Sequence, residues 1–148
     1  MEINGLPLHP LVVHAAVVLG PIAALVALAY AARPDWRERL RKSLVVLAVL
    51  SVGSIVAAYL TGDQFKGANA FFEKNELVEE HEELAGLLLW VTIGFGVVTL
   101  LTVFLHKQTG GLRIALHVLL AASAIAVLVL VVMTGEAGAR AVWGTGNG

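Results

Sequence analysis

Cysteine is absent from the 148 residues of this sequence. Its absence excludes disulfide bonds, iron–sulfur clusters held by cysteine, thiolate zinc sites and a cysteine nucleophile. Any metal that this chain binds must therefore use histidine, aspartate, glutamate, methionine or backbone oxygen.

Charged residues are also scarce. They make up 14% of the chain, whereas 58% of its residues are hydrophobic. A soluble domain of this size cannot bury so much apolar surface, because a small fold leaves much of its surface in water. The net charge of −1 gives no sign of nucleic-acid binding either. The composition indicates a membrane protein whose apolar faces are covered by the lipid bilayer.

Four long apolar runs account for this composition, at residues 11–32, 44–60, 84–105 and 114–133. A helix needs about 20 apolar residues to cross the hydrocarbon core of a bilayer. The runs show no alternation of apolar and polar residues, which favours helices over strands. We therefore expect an all-α fold, an integral membrane four-helix bundle, with residues 1–148 forming a single transmembrane domain.

Basic residues are distributed unevenly between the connections. Seven lie between the first two runs or between the last two: Arg33, Arg37, Arg39, Arg41, Lys42, Lys107 and Arg113. Only Lys66, Lys74 and Arg140 lie on the opposite side. Because lysine and arginine accumulate in cytoplasmic loops, we expect both short connections to face the cytoplasm. The N-terminus and the C-terminus would then lie on the non-cytoplasmic side.

The two halves of the chain resemble each other weakly. The segment Thr61-Gly62-Asp63 follows the second run, and Thr134-Gly135-Glu136 follows the fourth. His9 and His81 precede the first and third runs. This pattern predicts two helical hairpins related by an internal repeat, and sites in membrane proteins often form between such halves.

Histidines are the most informative polar residues. Ionisable residues within a membrane segment are costly and indicate function. Imidazole is the usual protein ligand of haem iron, and it also binds copper and zinc. His14 and His81, on the first and third helices, are the expected axial ligands of a b-type haem. His9 is either a group that supports the ligands without touching the iron or a replacement ligand, and His9 with His81 is the pair that matches the repeat.

Other interpretations of the histidines remain open. His9, His14 and His81, with Asp63 or Glu136, would form a site for one Cu or Zn ion. His106 and His117 lie near the other surface, where they would form a second site or remain structural. A third interpretation is a cofactor-free accessory subunit of a larger membrane complex.

The opening segment from Asn4 to His14 resembles a large family of small bacterial membrane proteins, catalogued as a transmembrane domain of unknown function. The mark of this family is His-Pro-x-x-Val-His at the start of the first of four helices, here His9 to His14, with a later histidine, here His81. Family members typically continue with Phe-Pro, whereas this chain has Ala15-Ala16. The likeness covers essentially the whole chain.

The resemblance implies a location in the bacterial inner membrane. Some relatives are joined to Rieske-type iron–sulfur domains, which implies a redox setting. With the histidines, this leads to the expectation of a membrane-embedded subunit that binds haem b and transfers electrons. Its partners would be a larger membrane redox complex or further copies of the chain.

Overall fold

The computed structural model describes residues 2–3, 6–67 and 76–144, with side chains from residue 9 to 64 and from 76 to 144. Helix α1 spans Leu8–Ala32, α2 Arg37–Gly67, α3 Glu76–Phe104 and α4 Gly110–Trp143. A short 3-10 turn, Pro34–Trp36, joins α1 to α2. Glu2–Ile3 and Leu6–Pro7 form a two-residue antiparallel ladder before α1. The expected all-α fold is confirmed.

Each helix is long enough to cross a membrane. The shortest, α1, has 25 residues, and a rise of about 1.5 Å per residue makes it longer than the roughly 30 Å hydrocarbon core. In the most apolar segment of each helix, only 22–39% of the residues are buried inside the bundle. Many large apolar side chains of these helices are exposed on the outside of the bundle, which suits a surrounding of lipid and would be costly in water.

The four helices are arranged as a ring. Helix α1 packs on α2 and α4, and α3 packs on the same two neighbours, so α1 and α3 are diagonally opposite.

Two ends of the bundle can be distinguished by composition. The histidine end contains His9 and His81, where α1 and α3 begin, and the basic end contains residues 33–43 and 105–113. At the basic end, Gly110 has φ +70°, a conformation that glycine adopts without strain, and α4 begins there.

The buried residues reveal a regular internal repeat. Adding 72 to each buried position of α1 gives a buried position of α3: residues 16, 20, 23, 24, 27 and 30 become 88, 92, 95, 96, 99 and 102. Adding 76 to residues 44, 48, 51 and 55 of α2 gives residues 120, 124, 127 and 131 of α4, all buried. The chain therefore consists of two equivalent hairpins, α1–α2 and α3–α4. Because both hairpins run in the same direction, the axis that relates them runs along the bundle.

Candidate functional site

His9 connects α1 to α2 at the histidine end. Its Nδ1 lies 3.1 Å from the carbonyl oxygen of Ala58 and 3.2 Å from Oγ1 of Thr61. A carbonyl oxygen can only accept, so Nδ1 carries the proton and donates. The hydroxyl of Thr61 in turn donates to the carbonyl of Ala57 at 2.8 Å. The imidazole of His9 is therefore held against the following helix.

His81 makes the equivalent connection in the second hairpin. Its Nδ1 donates to the carbonyl oxygen of Thr134 at 3.0 Å. His81 lies 72 positions after His9, and Thr134 lies 76 positions after Ala58, which are the offsets that relate the buried positions.

A glycine lies beneath each imidazole. A Cβ added to Gly62 would lie 3.0 Å from Cε1 of His9, and one added to Gly138 would lie 3.0 Å from Cε1 of His81. These distances are too short for a comfortable carbon–carbon contact, because such contacts are most favourable near 3.5–4.0 Å. Both rings can approach the neighbouring backbone only because these positions have no side chain.

The register of the repeat differs from the sequence-based prediction. Thr61-Gly62-Asp63 was expected to correspond to Thr134-Gly135-Glu136, but Thr134 occupies the position of Ala58 and Gly138 that of Gly62. The prediction was thus wrong by about one helical turn in the second hairpin. The shift arises because the acceptors are backbone carbonyls, which any residue type supplies.

His14 does not take part in these interhelical bonds. Its Nδ1 donates to the carbonyl of Pro10, one turn earlier in α1, at 2.5 Å, and its side chain is exposed. Its equivalent in the second hairpin is Gly86. His14 therefore lines the same region as His9 and His81 but has no counterpart in the repeat.

A partly open cavity of about 940 Å³ lies between all four helices at the histidine end. Its walls include His9, His14, His81, Asp63 and Glu82, together with many small residues. Most of the lining occurs in equivalent pairs, namely 9 and 81, 10 and 82, 13 and 85, 16 and 88, 55 and 131, 58 and 134, 59 and 135, 62 and 138, and 63 and 139. The cavity therefore lies on the axis that relates the two hairpins.

The two sides of the cavity differ in polarity. Asp63 and Glu82 lie on the α2–α3 side, and their counterparts on the α1–α4 side are Ala139 and Pro10.

Glu80 and Arg140 form an ion pair at 2.9 Å, with both side chains about half exposed, which ties α3 to α4. An exposed pair of this kind adds little stability.

The basic end holds the other two histidines in separate environments. His106 Nε2 accepts a hydrogen bond from Arg41 at 3.0 Å, while its Nδ1 donates to the carbonyl of Val103. The ring of His117 stacks on that of Tyr30, with centroids 5.9 Å apart, and its Nδ1 donates to Arg113. The described contacts therefore assign these two histidines to different neighbours.

Within the part of the chain that is described, no group of three or more His, Asp or Glu side chains is arranged to hold a metal ion. Asp63 lines the cavity with the histidines, but Glu136 is exposed and does not line it. Sequence reasoning overlooked Gly62 and Gly138 as contacts of the histidine rings.

These observations define a four-helix membrane protein with a histidine-lined cavity at one end. A family model described as "Predicted membrane protein (DUF2231)" matches residues 5–148. The chain belongs to this family. No curated protein and no solved structure matched the chain.

Proposed function

We propose that this protein is a membrane-embedded subunit that binds haem b in the cavity at the histidine end and transfers electrons. The observation that carries this proposal is the equivalence of His9 and His81. They come from diagonally opposite helices, line one cavity and are oriented by the same kind of bond to a backbone carbonyl. These two residues would hold the iron from its two sides.

The chemistry of the two rings supports this assignment. Histidines that ligate metals usually donate their second ring N–H to a carbonyl or carboxylate, which fixes the tautomer and the orientation of the ring. His9 and His81 both donate from Nδ1, so Nε2 carries the lone pair in the neutral ring. Two such ligands give a haem iron suited to one-electron transfer.

The size and the lining of the cavity also support a ligand such as haem. Its volume of about 940 Å³ is at the upper end of the roughly 300–1,000 Å³ that is typical of ligand pockets. Alanine and glycine form much of its lining, including Ala16, Ala58, Ala85 and Gly62. Such small residues let a rigid ring approach the helix backbones.

We prefer a different ligand pair from the one first expected. His14 with His81 was the first expectation, and His9 with His81 was the alternative that matches the repeat. We favour His9 because its ring is fixed against a second helix, whereas the ring of His14 bonds within its own helix and is exposed. His14 would then lie beside the haem rather than on its axis.

Orientation and assembly are further parts of this proposal. The basic residues of the 33–43 and 105–113 segments favour a cytoplasmic location for the basic end. The haem site would then lie toward the outer face of a bacterial inner membrane. Electrons would pass to and from a larger membrane redox complex or an adjacent copy of the chain.

Absorption spectroscopy of the purified protein tests the proposal. We expect a Soret band and a sharp α-band on reduction, which His9→Ala or His81→Ala removes while the protein still inserts. His106→Ala, at the basic end, is the control and should keep the spectrum. A colourless protein with stoichiometric Cu or Zn would favour the metal site instead, and a colourless, metal-free protein would favour an accessory subunit.

Loss of the pigment in His14→Ala, with a normal spectrum in His9→Ala, would restore the first expected ligand pair. The four histidine variants together therefore separate the question of haem binding from that of ligand identity.

A further inference from the structure

Five polar atoms are buried inside the bundle without a hydrogen-bond partner in the described protein. They are the hydroxyl oxygens of Ser51, Thr92, Thr99 and Thr134 and Nε2 of His117. Other hydroxyls of the bundle behave differently, since Ser54, Thr102 and Ser123 each donate to a carbonyl of their own helix. The unpaired hydroxyls are therefore not a general property of serine and threonine in these helices.

An unpaired polar group within a membrane bundle is costly, because the hydrocarbon offers it no partner. Buried polar atoms that lack a protein partner are commonly satisfied by internal water, which makes about three hydrogen bonds. Hydroxyls can both donate to and accept from such a molecule. The five atoms therefore point to water inside the bundle.

The repeat shows that packing does not require these polar groups. The counterparts of Thr92 and Thr99 are Gly20 and Ala27, which occupy equivalent buried positions of α1. The counterpart of Ser51 is the buried Val127. The same fold thus accepts apolar residues at these places in its other half, and the hydroxyls need a different explanation.

The five atoms are distributed along the length of the bundle. Thr134 lies beside His81 at the histidine end, and His117 lies against Tyr30 at the basic end. From His81 to Thr99 the helix rises about 27 Å, close to the thickness of the hydrocarbon core. Thr92 and Thr99 are about 10 Å apart along α3, a distance that about three hydrogen-bonded water molecules span.

We propose that these hydroxyls hold a chain of water molecules that conducts protons between His117 and the cavity at the histidine end. Each oxygen that receives a proton passes a different proton to the next oxygen, so every hydroxyl or water keeps its number of O–H bonds. Rotation of these groups then restores the original direction of the hydrogen bonds. His117 ends the chain at the basic end: its buried Nε2 takes a proton from the last water while the Nδ1 proton, which faces the carbonyl of Arg113, is released toward the surface, and rotation of the ring restores the first tautomer. The path requires no bound cofactor.

Proton flux into liposomes that contain the full-length protein tests this proposal. A pH-sensitive dye inside the liposomes reports the flux after an acid step, with valinomycin and potassium to balance charge. We expect the protein to raise the flux above that of protein-free liposomes. Thr99→Val should lower the added flux about tenfold, which corresponds to about 1.4 kcal/mol and lies within the range for a buried group that loses its hydrogen-bond partner.

Thr102→Val is the matched control. Thr102 lies one turn from Thr99 and is also buried, but its hydroxyl donates to the carbonyl of Val98 at 2.7 Å. This variant should retain the flux. If Thr99→Val does not fold, Ser51→Ala provides the same test. A flux equal to that of protein-free liposomes, or equal effects of the two threonine variants, would overturn the proposal.

Discussion

His9 and His81 make the same interaction in the two halves of the molecule. Each donates from Nδ1 to a carbonyl of the helix that follows, at 3.1 Å to Ala58 and 3.0 Å to Thr134. Each ring also lies on a glycine four residues further along that helix, Gly62 or Gly138. Both acceptors are backbone carbonyls, and both oriented imidazoles line the same cavity.

A methyl group at Gly62 should displace the ring of His9. We expect Gly62→Ala to lower the free energy of unfolding by about 1–3 kcal/mol, since overpacking forces neighbouring side chains to move. Gly53→Ala is the control in the same helix, because nothing lies within 4 Å of its added Cβ. It should be neutral or stabilising, because alanine is favoured over glycine in helices by roughly 0.5–1 kcal/mol.

Unfolding in mixed detergent micelles measures both variants. Equal stabilities of Gly62→Ala and Gly53→Ala would show that the imidazole does not lie against α2.

Gly96 should be required for the close packing of α3 on α2. A Cβ at this position would lie 2.9 Å from Cγ2 of Val52. We expect Gly96→Ala to destabilise the protein by about 1–3 kcal/mol, whereas Gly94→Ala, with nothing near its added Cβ, should not. Adding Val52→Ala to Gly96→Ala should recover part of the loss, and a double-mutant cycle would measure this coupling. Strictly additive effects would contradict the contact.

Tyr30 should stabilise the basic end through its ring. It is buried, stacks on His117 and has the guanidinium of Arg37 6.0 Å from its ring centroid. Tyr30→Ala should cost about 3–5 kcal/mol, the range for removal of a large buried aromatic side chain. Tyr30→Phe keeps the ring and should cost much less. Thermal unfolding in detergent compares the two, and similar losses would assign the stability to the hydroxyl instead.

The proposed orientation can be tested directly because the chain has no cysteine. Gln108→Cys places a thiol at the exposed basic end, and Glu76→Cys places one at the exposed start of α3. Where the cells have an outer membrane, it is first made permeable to the reagent. In such intact cells a membrane-impermeant thiol reagent should label only Glu76→Cys. Labelling of Gln108→Cys alone would show that the orientation in the membrane is the opposite of the proposed one.

Hydropathy was sufficient to predict the four helices but not their ends. The predicted second span began at residue 44, whereas α2 begins at Arg37, because its first turns carry charged residues that a search for apolar runs omits. The internal repeat was also predicted, from His9, His81 and two similar Thr-Gly-acid segments. Its register was missed because the two segments were matched by residue type. The equivalent positions in the structure are Ala58 and Thr134, whose backbone carbonyls accept the hydrogen bonds of the two histidines.

The roles of single histidines were harder to predict. His9, His14 and His81 were all expected at one end, and all three line the cavity there. Their sequence positions do not reveal which rings bond across helices, since that depends on how α1 and α2 rotate against each other. His14 lies only five residues after His9, yet its ring bonds within its own helix.

Chemical rescue at His81 tests the proposed haem ligation most directly. His81→Gly removes one ligand and leaves space for free imidazole. Electron paramagnetic resonance of the ferric protein should show a low-spin signal in the wild type, a high-spin signal in His81→Gly, and the low-spin signal again after imidazole is added. An unchanged low-spin signal in His81→Gly, or a wild-type protein that binds no haem, would contradict the account.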